Sequence, residues 1–493
     1  MEHVCVELEN IKLSFMDKVI LDISRLAIHQ FDRIGIVGRN GAGKSTLLKL
    51  IAGQIQPDSG AVKRLADFAY FDQLSWVENQ DVDYALKGKL SIPDTSTEQF
   101  SGGEQTRLKL AQLFSTYHEG LLIDEPTTHL DQEGRQFFLD ELAYYYGALI
   151  LVSHDRYVLD QLVTKIWEIE DGNVTEYTGN YSDYSAKKEL AKRQQQEQHE
   201  KYLKEKSRLM RAAEEKMRKA SKVTQASKRV SKKEVKEKPN KMFMTKSKDT
   251  SQKGIERAAK VIEERVDQLE PVEATQEEEI IRFHQSPSLQ LHNKFPVMAD
   301  RLTLAAGEKL LLHEARFQFS LGRTIAITGD NGSGKTTLLH HILKQGEGIT
   351  NSPKAVFGVY EQMAYQFSEK ESVLTFMKER SDANEGKIRA VLHSMGFEGN
   401  DLRKDVRDLS GGEAIRLVLC HLFLGRFNIL ILDEPTNFLD VFCIEALEKF
   451  LRGYDGTVLL VSHDQTFIER VADDVYVMED LALTLKKTVD DML

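Results

Sequence analysis

Gly38-Arg-Asn-Gly-Ala-Gly-Lys-Ser45 is the stretch that decides the fold of this chain, and it recurs as Gly329-Asp-Asn-Gly-Ser-Gly-Lys-Thr336. Each copy follows an apolar run and precedes Leu-rich helical sequence, which is the strand, turn and helix context of a phosphate loop. The glycines let backbone N–H groups point at phosphates, Lys44 and Lys335 add a positive charge, and the Ser45 and Thr336 hydroxyls are suited to Mg²⁺. Two sites for ATP with Mg²⁺ are therefore predicted.

Three further motifs repeat in the same order in both halves. Ser101-Gly-Gly-Glu104 recurs as Ser410-Gly-Gly-Glu413, Asp124-Glu-Pro-Thr127 as Asp433-Glu-Pro-Thr436, and Ser153-His-Asp155 as Ser462-His-Asp464, each 309 residues later. Repetition at a fixed spacing indicates duplicated domains. The two phosphate loops are only 291 residues apart, so the second half carries extra residues, most of them after Gln362.

Continuous apolar runs of five or so residues precede these motifs and are typical of buried strands in a parallel sheet covered on both faces. The predicted fold class is α/β, with two tandem ATPase domains joined by an antiparallel helical hairpin. We place the first domain at residues 1–182, the linker at 183–275 and the second domain at 276–493.

The linker is basic although the whole chain carries a formal net charge of −11. From Lys201 to Lys260 there are 21 Lys and Arg against 7 Asp and Glu, a balance of +14. Such a run favours a nucleic-acid partner, against the alternative of an ordinary solvated surface. One helical seam is predicted along Leu203, Met210, Ala213, Met217 and Ala220, and a second along Ile255, Ala259, Ile262, Val266 and Leu269. A connection is predicted between them, over residues 221–254.

Other features of composition exclude some classes of protein. No apolar run approaches the length of a membrane span, and the first residues have no signal-peptide pattern, so the cytoplasm is the expected location. Cys5, Cys420 and Cys443 have no paired spacing, which argues against a disulfide framework or a zinc cluster.

Residues at the ends of the apolar runs are the candidates for chemistry. Asp124 and Asp433 are placed to hold the metal or its water, and the glutamates that follow them, Glu125 and Glu434, to polarise the attacking water. His154 and His463 end the next run and repeat beside an aspartate. Gln73 and Gln362 each follow a short strand and are candidates for sensing the metal or the water, with an ordinary strand-end polar residue as the alternative.

This order of motifs resembles the nucleotide-binding domain of ABC ATPases. In that family the Ser-Gly-Gly motif of one domain closes on the nucleotide of the other, so the resemblance implies that Ser101 completes the site of Lys335 and Ser410 that of Lys44. It also implies that Asp131 and Asp440 link the two sites and that Phe15 stacks on adenine, whereas Leu302-Thr-Leu304 offers only aliphatic residues. The residues expected at the nucleotide are Phe15, Gly38, Asn40, Gly41, Gly43, Lys44, Ser45, Thr46, Gln73, Ser101, Gly102, Gly103, Gly329, Asn331, Gly332, Gly334, Lys335, Thr336, Thr337, Gln362, Ser410, Gly411 and Gly412; the metal set is Ser45, Gln73, Asp124, Thr336, Gln362 and Asp433.

Two such domains with a charged linker resemble the ABC-F family. The short stretch from Gln73 to Ser101 and the long connection in the linker are most similar to the Msr/Vga-type antibiotic-resistance ribosomal protection proteins. That resemblance implies a monomer whose ATP-bound form enters the exit site of the bacterial 70S ribosome and meets ribosomal RNA and peptidyl-tRNA. Its linker tip, around Lys241-Met-Phe-Met-Thr-Lys246, would then release a drug, with Phe243 stacking on a base or perturbing the drug pocket. The alternative for these apolar residues is simple packing in the hairpin.

Two other functions stay open at this point. One is a housekeeping ABC-F factor that relieves stalled ribosomes without any drug. The other is the ATP-binding subunit of a membrane transporter, in which the charged linker has no evident use.

Overall fold

A computed structural model of the chain describes residues 3–15, 18–72, 84–90, 102–127, 130, 132–233, 257–258, 260–262, 264–266, 268–269, 281–283, 289–307, 309–360 and 367–488. These group into two compact units. One unit combines Met1–Tyr184 with Ile280–Leu493, and the other is Ser185–Glu279. The domain boundaries expected from the sequence lie close to these junctions and stay predictions as boundaries of separate domains.

The first half of the larger unit consists of two sheets with helices packed on them. Its elements are β1 (Val4–Phe15), β2 (Lys18–His29), β3 (Arg33–Gly38), α1 (Lys44–Ala52), β4 (Ser59–Arg64), β5 (Phe68–Phe71), α2 (Tyr84–Lys89), α3 (Gly102–Phe114), β6 (Gly120–Asp124), α4 (Gln132–Ala143), β7 (Ala148–Val152), α5 (Arg156–Leu162), β8 (Lys165–Glu170) and β9 (Asn173–Thr178). An antiparallel sheet has the order β2-β1-β4, and a six-stranded sheet has the order β5-β6-β7-β3-β8-β9. Only the last pair of the six-stranded sheet is antiparallel.

The six-stranded sheet positions the predicted site. All five residues of β6 and of β7 are buried, as the apolar runs predicted, with side chains packed on both faces of the sheet. In the parallel register, Asp124 lies opposite Val152, and Val152 lies opposite Ile36. Since parallel strands end at the same edge, the chain turns there into the phosphate loop, the Asp-Glu pair and the Ser-His-Asp segment.

The second half repeats this architecture. Its elements are β10 (Val297–Ala306), β11 (Lys309–Phe319), β12 (Thr324–Thr328), α7 (Lys335–Leu343), β13 (Ile349–Asn351), β14 (Phe357–Tyr360), α8 (Val373–Glu379), α9 (Glu385–Ser394), α10 (Gly411–Leu424), β15 (Ile429–Asp433), α11 (Val441–Arg452), β16 (Thr457–Val461), α12 (Gln465–Val471), β17 (Asp474–Glu479) and β18 (Ala482–Thr488). The sheet orders are β11-β10-β13 and β14-β15-β16-β12-β17-β18, which match the first half strand for strand. Two tandem α/β domains of the predicted class are therefore confirmed.

The extra residues of the second half build helices between β14 and α10. Helices α8 and α9 are capped by the side chains of Ser372 and Asn384, which accept hydrogen bonds from backbone N–H groups in the first turn of each helix. Two short 3₁₀ turns, Gly399–Arg403 and Val406–Asp408, then lead to α10. The insertion inferred from the motif spacing is thus a small helical subdomain.

A single long helix, α6 (Tyr181–Lys233), leads from the first half into the linker. Its length corrects the prediction that a connection starts at residue 221. Residues 221–233 contain neither Gly nor Pro, the two residues that oppose a helix most strongly, so the helix continues although the apolar spacing has ended. The remainder of the expected connection, with Phe243 and the tip, lies outside the described residues.

The first predicted seam on α6 is confirmed at Ala213, but Leu203, Met210 and Met217 lie about one residue away from the less exposed stripe. Leu203, Met210 and Met217 are 48%, 49% and 43% exposed, whereas Ala213 is 5% exposed. The less exposed stripe runs through Tyr202, Leu209 and Ala213. On a helix this rich in charge, two neighbouring stripes have similar apolar content, and the spacing alone does not distinguish them.

The second helix of the linker is described in part. Residues 257–258, 260–262 and 264–266 are helical, and Ile262, Val266 and Leu269 are half-buried, as the second predicted seam requires. Ile255 and Ala259 of that seam lie outside the described residues. None of the helices within the described ranges is long and apolar enough to cross a membrane.

Candidate ATP-binding sites

Both phosphate loops adopt the same backbone conformation. Gly43 has a φ of 102° and Gly334 a φ of 106°, in the left-handed region that glycine tolerates. A Cβ on Gly43 would lie 2.8 Å from Ile20 Cγ2, and one on Gly334 would lie 2.7 Å from Leu311 Cδ1. Only glycine fits at these positions, and each leads directly into a helix whose N-terminus favours an anion.

The phosphate-loop lysines are held across their own loops. Lys44 Nζ donates to the carbonyl oxygens of Gly38 and Arg39, at 2.8 and 3.2 Å. Lys335 Nζ donates likewise to Gly329 and Asp330, at 2.7 and 2.9 Å. Each ammonium group therefore lies where the backbone of the loop encloses a phosphate.

Glu125 and Glu434 have a strained backbone in both halves. Their φ angles are 49° and 52°, which are uncommon for a residue with a Cβ. Each strained residue is fixed by the next strand end, because the N–H of Glu125 donates to Val152 O and that of Glu434 to Val461 O, both at 2.9 Å. Repetition of the same strain at the same place indicates a functional orientation of the two carboxyl groups.

A histidine lies beside each of these glutamates. The N–H of His154 donates to Glu125 Oε2, and that of His463 to Glu434 Oε2, both at 3.3 Å. The ring atoms Nε2 of His154 and His463 lie 3.2 and 3.4 Å from the Oε1 atoms of the same glutamates. The glutamate and histidine predicted for catalysis are thus adjacent in each half.

Burial controls the ionisation of this cluster. Burial raises the pKa of Glu125, and the positive charge of Lys44 opposes that effect. Burial and the neighbouring Asp433 raise the pKa of Glu434 to about 7. Burial and Lys44 lower the pKa of His154, so its ring is neutral at neutral pH. Any added positive charge at the site favours the carboxylate forms, which are the forms able to polarise water.

The donor set fits MgATP. Thr336 Oγ1 donates to Asp433 Oδ2 at 2.7 Å, and in the first half burial raises the pKa of Asp124 while the nearby Ser45 hydroxyl opposes that effect, so the hydroxyl and carboxylate predicted for the metal are close together. Apart from the histidine Nε2 atoms at 3.2 and 3.4 Å, the buried Oε1 atoms of Glu125 and Glu434 have no polar partner among the described residues. Bound MgATP would place the γ-phosphate and its attacking water in these sites. Ser45, Asp124, Thr336 and Asp433 would hold the metal, and the two glutamates would orient the water.

One cavity of about 980 Å³ is lined by residues of both domains. Around Lys44 it is lined by Gly41, Gly43, Ser45 and Thr46, and also by Ser410 and Gly412 of the second half. Ser410 is the N-cap of α10, and its N–H and hydroxyl donate to Glu413 Oε2 at 2.7 and 2.8 Å. The start of α10 therefore faces the first phosphate loop.

Asn40 in that loop is bonded directly to the second domain. Its N–H donates to Asp440 Oδ2 at 2.7 Å, and its Nδ2 donates to Phe438 O at 3.2 Å. Burial acts to raise the pKa of Asp440, but the N–H groups of Cys443 and Asn40 outweigh it and lower that pKa. The aspartate predicted to link the sites across the interface thus contacts the opposite phosphate loop.

Phe15 lies at the mouth of the cavity and is 73% exposed, which leaves its ring available for an adenine. The sequence match of Phe15 with Leu304 in the second domain is wrong. Phe15 pairs with Lys18 at the end of the β1-β2 hairpin, and Ala306 pairs with Lys309 at the end of the β10-β11 hairpin. Ala306 therefore matches Phe15, and Leu304 is 5% exposed in the core. The second site therefore has an alanine where the first has Phe15, so the two sites differ more at the adenine position than a leucine there would have implied.

Some predicted residues have no structural account. Gln73, Gln362, Ser101 and Asp131 lie outside the described residues, and Gly102 and Gly103 are described only as the start of α3. On the second side of the interface the described contacts include Arg135, whose Nη1 donates to His463 O at 3.1 Å. The predicted roles of these residues stay predictions.

The structure adds site residues that were not predicted from the sequence, and they lie next to the motifs. Asn437 and Phe438 line the cavity, and Phe438 has a φ of 65°, so its carbonyl can reach Asn40. Arg156 follows the Ser-His-Asp motif and is 2% exposed. Their position directly after a motif was the available signal, but their partners are on the other domain.

Fold and site together define an ATP-binding domain of the ABC type, present twice. Two family models described as ABC transporter match the chain, one at residues 21–87 and 312–437 and the other at 167–250. Over 477 residues the chain is 41% identical to the erythromycin resistance ATP-binding protein MsrA of Staphylococcus epidermidis, covering 96% of this chain and 97% of the relative. It is 33% identical to the ribosome protection protein VmlR of Bacillus subtilis, covering 96% and 87%.

The chain therefore belongs to the ABC-F family of ATPases, with Msr-type relatives. Its fold also matches the archaeal ribosome recycling factor aABCE1, solved in complex with the ribosomal stalk protein aP1. The TM-score is 0.60 at 19% identity over 95% of this chain and 87% of that one. That level of identity supports the shared fold alone.

Replacing Phe15 with Ala is expected to weaken ATP binding at the Lys44 site by about tenfold, since stacking of a base on an aromatic ring contributes ~1–3 kcal/mol. Fluorescent ATP titration in a Lys335→Ala background isolates that site. Ala306→Ser, at the matching position of the other domain, is the control and should change the affinity less than about twofold. If the Phe15→Ala and Ala306→Ser variants bind ATP with equal affinity, Phe15 does not stack on the adenine.

Proposed function

We propose that this ATPase protects bacterial ribosomes against antibiotics. The ATP-bound monomer enters the exit site of the 70S ribosome in the cytoplasm, and its linker reaches past peptidyl-tRNA to release a drug from the peptidyl-transferase centre or the exit tunnel. The observation that supports the proposal most strongly is the basic linker joined to two ABC domains. Its net charge from Lys201 to Lys260 is +14, in a chain whose formal net charge is −11. The relatives named for erythromycin resistance and ribosome protection support the same assignment.

The charge on α6 suits an RNA surface. Within the linker unit a shallow groove is lined by Lys204, Arg208 and Arg211, together with Leu203 and Ala212. The side chains of Lys204 and Arg208 are 79% and 74% exposed even though each is near a glutamate. Exposed Lys and Arg neutralise phosphates without reading sequence, which is what binding along ribosomal RNA requires.

The ATP cycle in this proposal uses two composite sites. Ser410 completes the site of Lys44, and Ser101 completes that of Lys335, so that two bound ATP molecules hold the domains together. Support comes from the common cavity and from the bonds of Asn40 to Asp440 and Phe438. Hydrolysis at these sites then releases the protein from the ribosome.

Expression in a drug-sensitive host tests the function. The chain should raise the inhibitory concentration of at least one class among macrolides, lincosamides, streptogramins and pleuromutilins, by about fourfold or more. A Lys44→Ala/Lys335→Ala variant, which has lost the phosphate-loop charges, is the matched control and should give no protection. Unchanged inhibitory concentrations for all these classes would favour the housekeeping alternative, and ATP-dependent association with membranes instead of ribosomes would favour the transporter subunit.

A further inference from the structure

Arg156 joins the two ATPase domains at the Lys44 side of their interface. It is the first residue of α5, two residues after His154, and only 2% exposed. Its Nη1 donates to Glu448 Oε1 at 2.7 Å, and its Nη2 donates to Val441 O at 3.4 Å. Both partners are on α11 of the second domain, the helix that Asp440 caps.

The first turn of α6 is bonded to the same two helices. Tyr181, its first residue, donates from its hydroxyl to Glu445 Oε1 on α11 at 3.3 Å, and its ring centre lies 6.0 Å from the Arg156 guanidinium carbon. Ser182 donates from its N–H and hydroxyl to Asp160 on α5, at 2.7 and 2.6 Å. The beginning of the linker helix therefore contacts one helix from each ATPase domain.

Tyr184 fixes this turn to the first domain. Its hydroxyl donates to Glu168 Oε1 at 2.7 Å, and its ring packs against Tyr181 with a centroid distance of 5.7 Å. Tyr181 and Tyr184 are each 4% exposed. The bond to Glu445 on α11 crosses to the second domain, and Val441 of α11 belongs to the same buried apolar cluster as Tyr181 and Tyr184, so domain separation breaks these contacts.

Separating the two domains costs more free energy at this buried cluster than it would at a solvent-exposed ion pair. Arg156 and Glu448 are both buried, and Glu448 also bonds to Arg470 of its own domain at 3.3 Å, so it is Arg156 that domain separation leaves as a desolvated charge without a carboxylate. When the domains part, the cluster must take up water, and the Glu445 acceptor of Tyr181 leaves with α11. The bonds are complete only in the closed arrangement.

The same cluster is not repeated by the duplication. The residue that corresponds to Arg156 in the second domain, 309 residues later, is Gln465. The residues that correspond to Glu448 and Glu445 in the first domain, 309 residues earlier, are Leu139 and Gln136. On that side Arg135 bonds to the carbonyl oxygen of His463 and pairs with Asp155, and these contacts involve no residue of α6.

We propose that Arg156 is a positioning residue that couples closure of the Lys44 site to the first turn of the linker helix. It acts with Glu445, Glu448 and Tyr181, so that closure on ATP fixes the base of α6 and opening releases it. The proposal rests on the proposed function for its purpose, since a linker that works on the ribosome must respond to ATP.

Hydrogen exchange tests the coupling without ribosomes. In the Glu125→Gln/Glu434→Gln protein, ATP should slow exchange of the amides of residues 184–190 by about tenfold, corresponding to ~1.4 kcal/mol of added local stability. Arg156→Gln or Tyr181→Phe should reduce that slowing to less than about threefold, while the phosphate-loop amides stay equally protected by ATP. Gln465→Ala, at the duplicate position, is the matched control and should keep the tenfold effect.

A merely structural role for Arg156 would raise exchange equally with and without ATP, which overturns the coupling. Full ATP-dependent protection of residues 184–190 in both variants would also overturn it, as would its loss in Gln465→Ala. Tyr181→Phe removes a single hydroxyl and serves if Arg156→Gln does not fold. Sedimentation of the parent protein with ribosomes is a separate measurement, and its failure contradicts the proposed function while the exchange result stands.

Discussion

Exchange of Glu125 and Glu434 for glutamine is expected to lower steady-state ATP hydrolysis by at least about 100-fold and to retain the protein on ribosomes when ATP is present. A positioned base contributes ~10²–10⁴-fold to such a reaction, and glutamine keeps the shape of the side chain without its ability to accept a proton. The strained backbone of both residues and their buried Oε1 atoms, each beside a histidine Nε2, place the carboxyl groups for this task.

Phosphate release and co-sedimentation with ribosomes measure the two effects. ATP binding should stay within about threefold of wild type, because Lys44, Lys335 and the loop backbones are unchanged. Glu347→Gln removes an exposed carboxylate elsewhere in the second domain and is the control for the loss of charge. A reduction of less than tenfold in the double variant would assign the polarisation of water to another group, and loss of ribosome binding with ATP would contradict the proposed function.

The chemistry of the sites was predictable because short motifs carry it. A phosphate loop needs its glycines, its lysine and its hydroxyl in consecutive positions, and Asp124 and Asp433 end strands whose apolar character is visible in the sequence. The parallel register then brings these strand ends to one edge, which is a general property of such sheets. Local patterns thus identified the α/β fold and the candidate glutamates and histidines, and the structure places each glutamate next to a histidine.

Features that depend on register or on a partner domain were not predictable in the same way. Leu304 was mistaken for the counterpart of Phe15 because Leu302-Thr-Leu304 resembles Leu13-Ser-Phe15, whereas the hairpin ends match Phe15 with Ala306, 291 residues later like the phosphate loops. Arg156 has an ordinary sequence context, and only the position of α11 makes it a buried ion pair. The stripe on α6 was misplaced because two neighbouring stripes of that charged helix have similar apolar content, which the spacing alone does not distinguish.

The segment that follows α6 should carry the effect on the drug. Replacing residues 234–256 with a Gly-Ser sequence of equal length is expected to return the inhibitory concentration to that of the empty vector, while basal ATPase stays within about twofold. The ATP sites lie in the unit formed by Met1–Tyr184 and Ile280–Leu493, which does not include this segment.

Two smaller changes separate charge from contact within that segment. Lys241→Gln/Lys246→Gln should weaken ATP-dependent ribosome binding and make it less sensitive to salt, because each lost phosphate contact removes about one unit from the salt dependence. Phe243→Ala should leave binding and its salt dependence unchanged and reduce protection alone, since a ring that stacks on a base or reaches the drug contributes no charge. If the Gly-Ser replacement still protects fully, the segment has no role in drug release. Protection would then have to come from α6 itself, whose exposed Lys204, Arg208 and Arg211 are the next residues to replace.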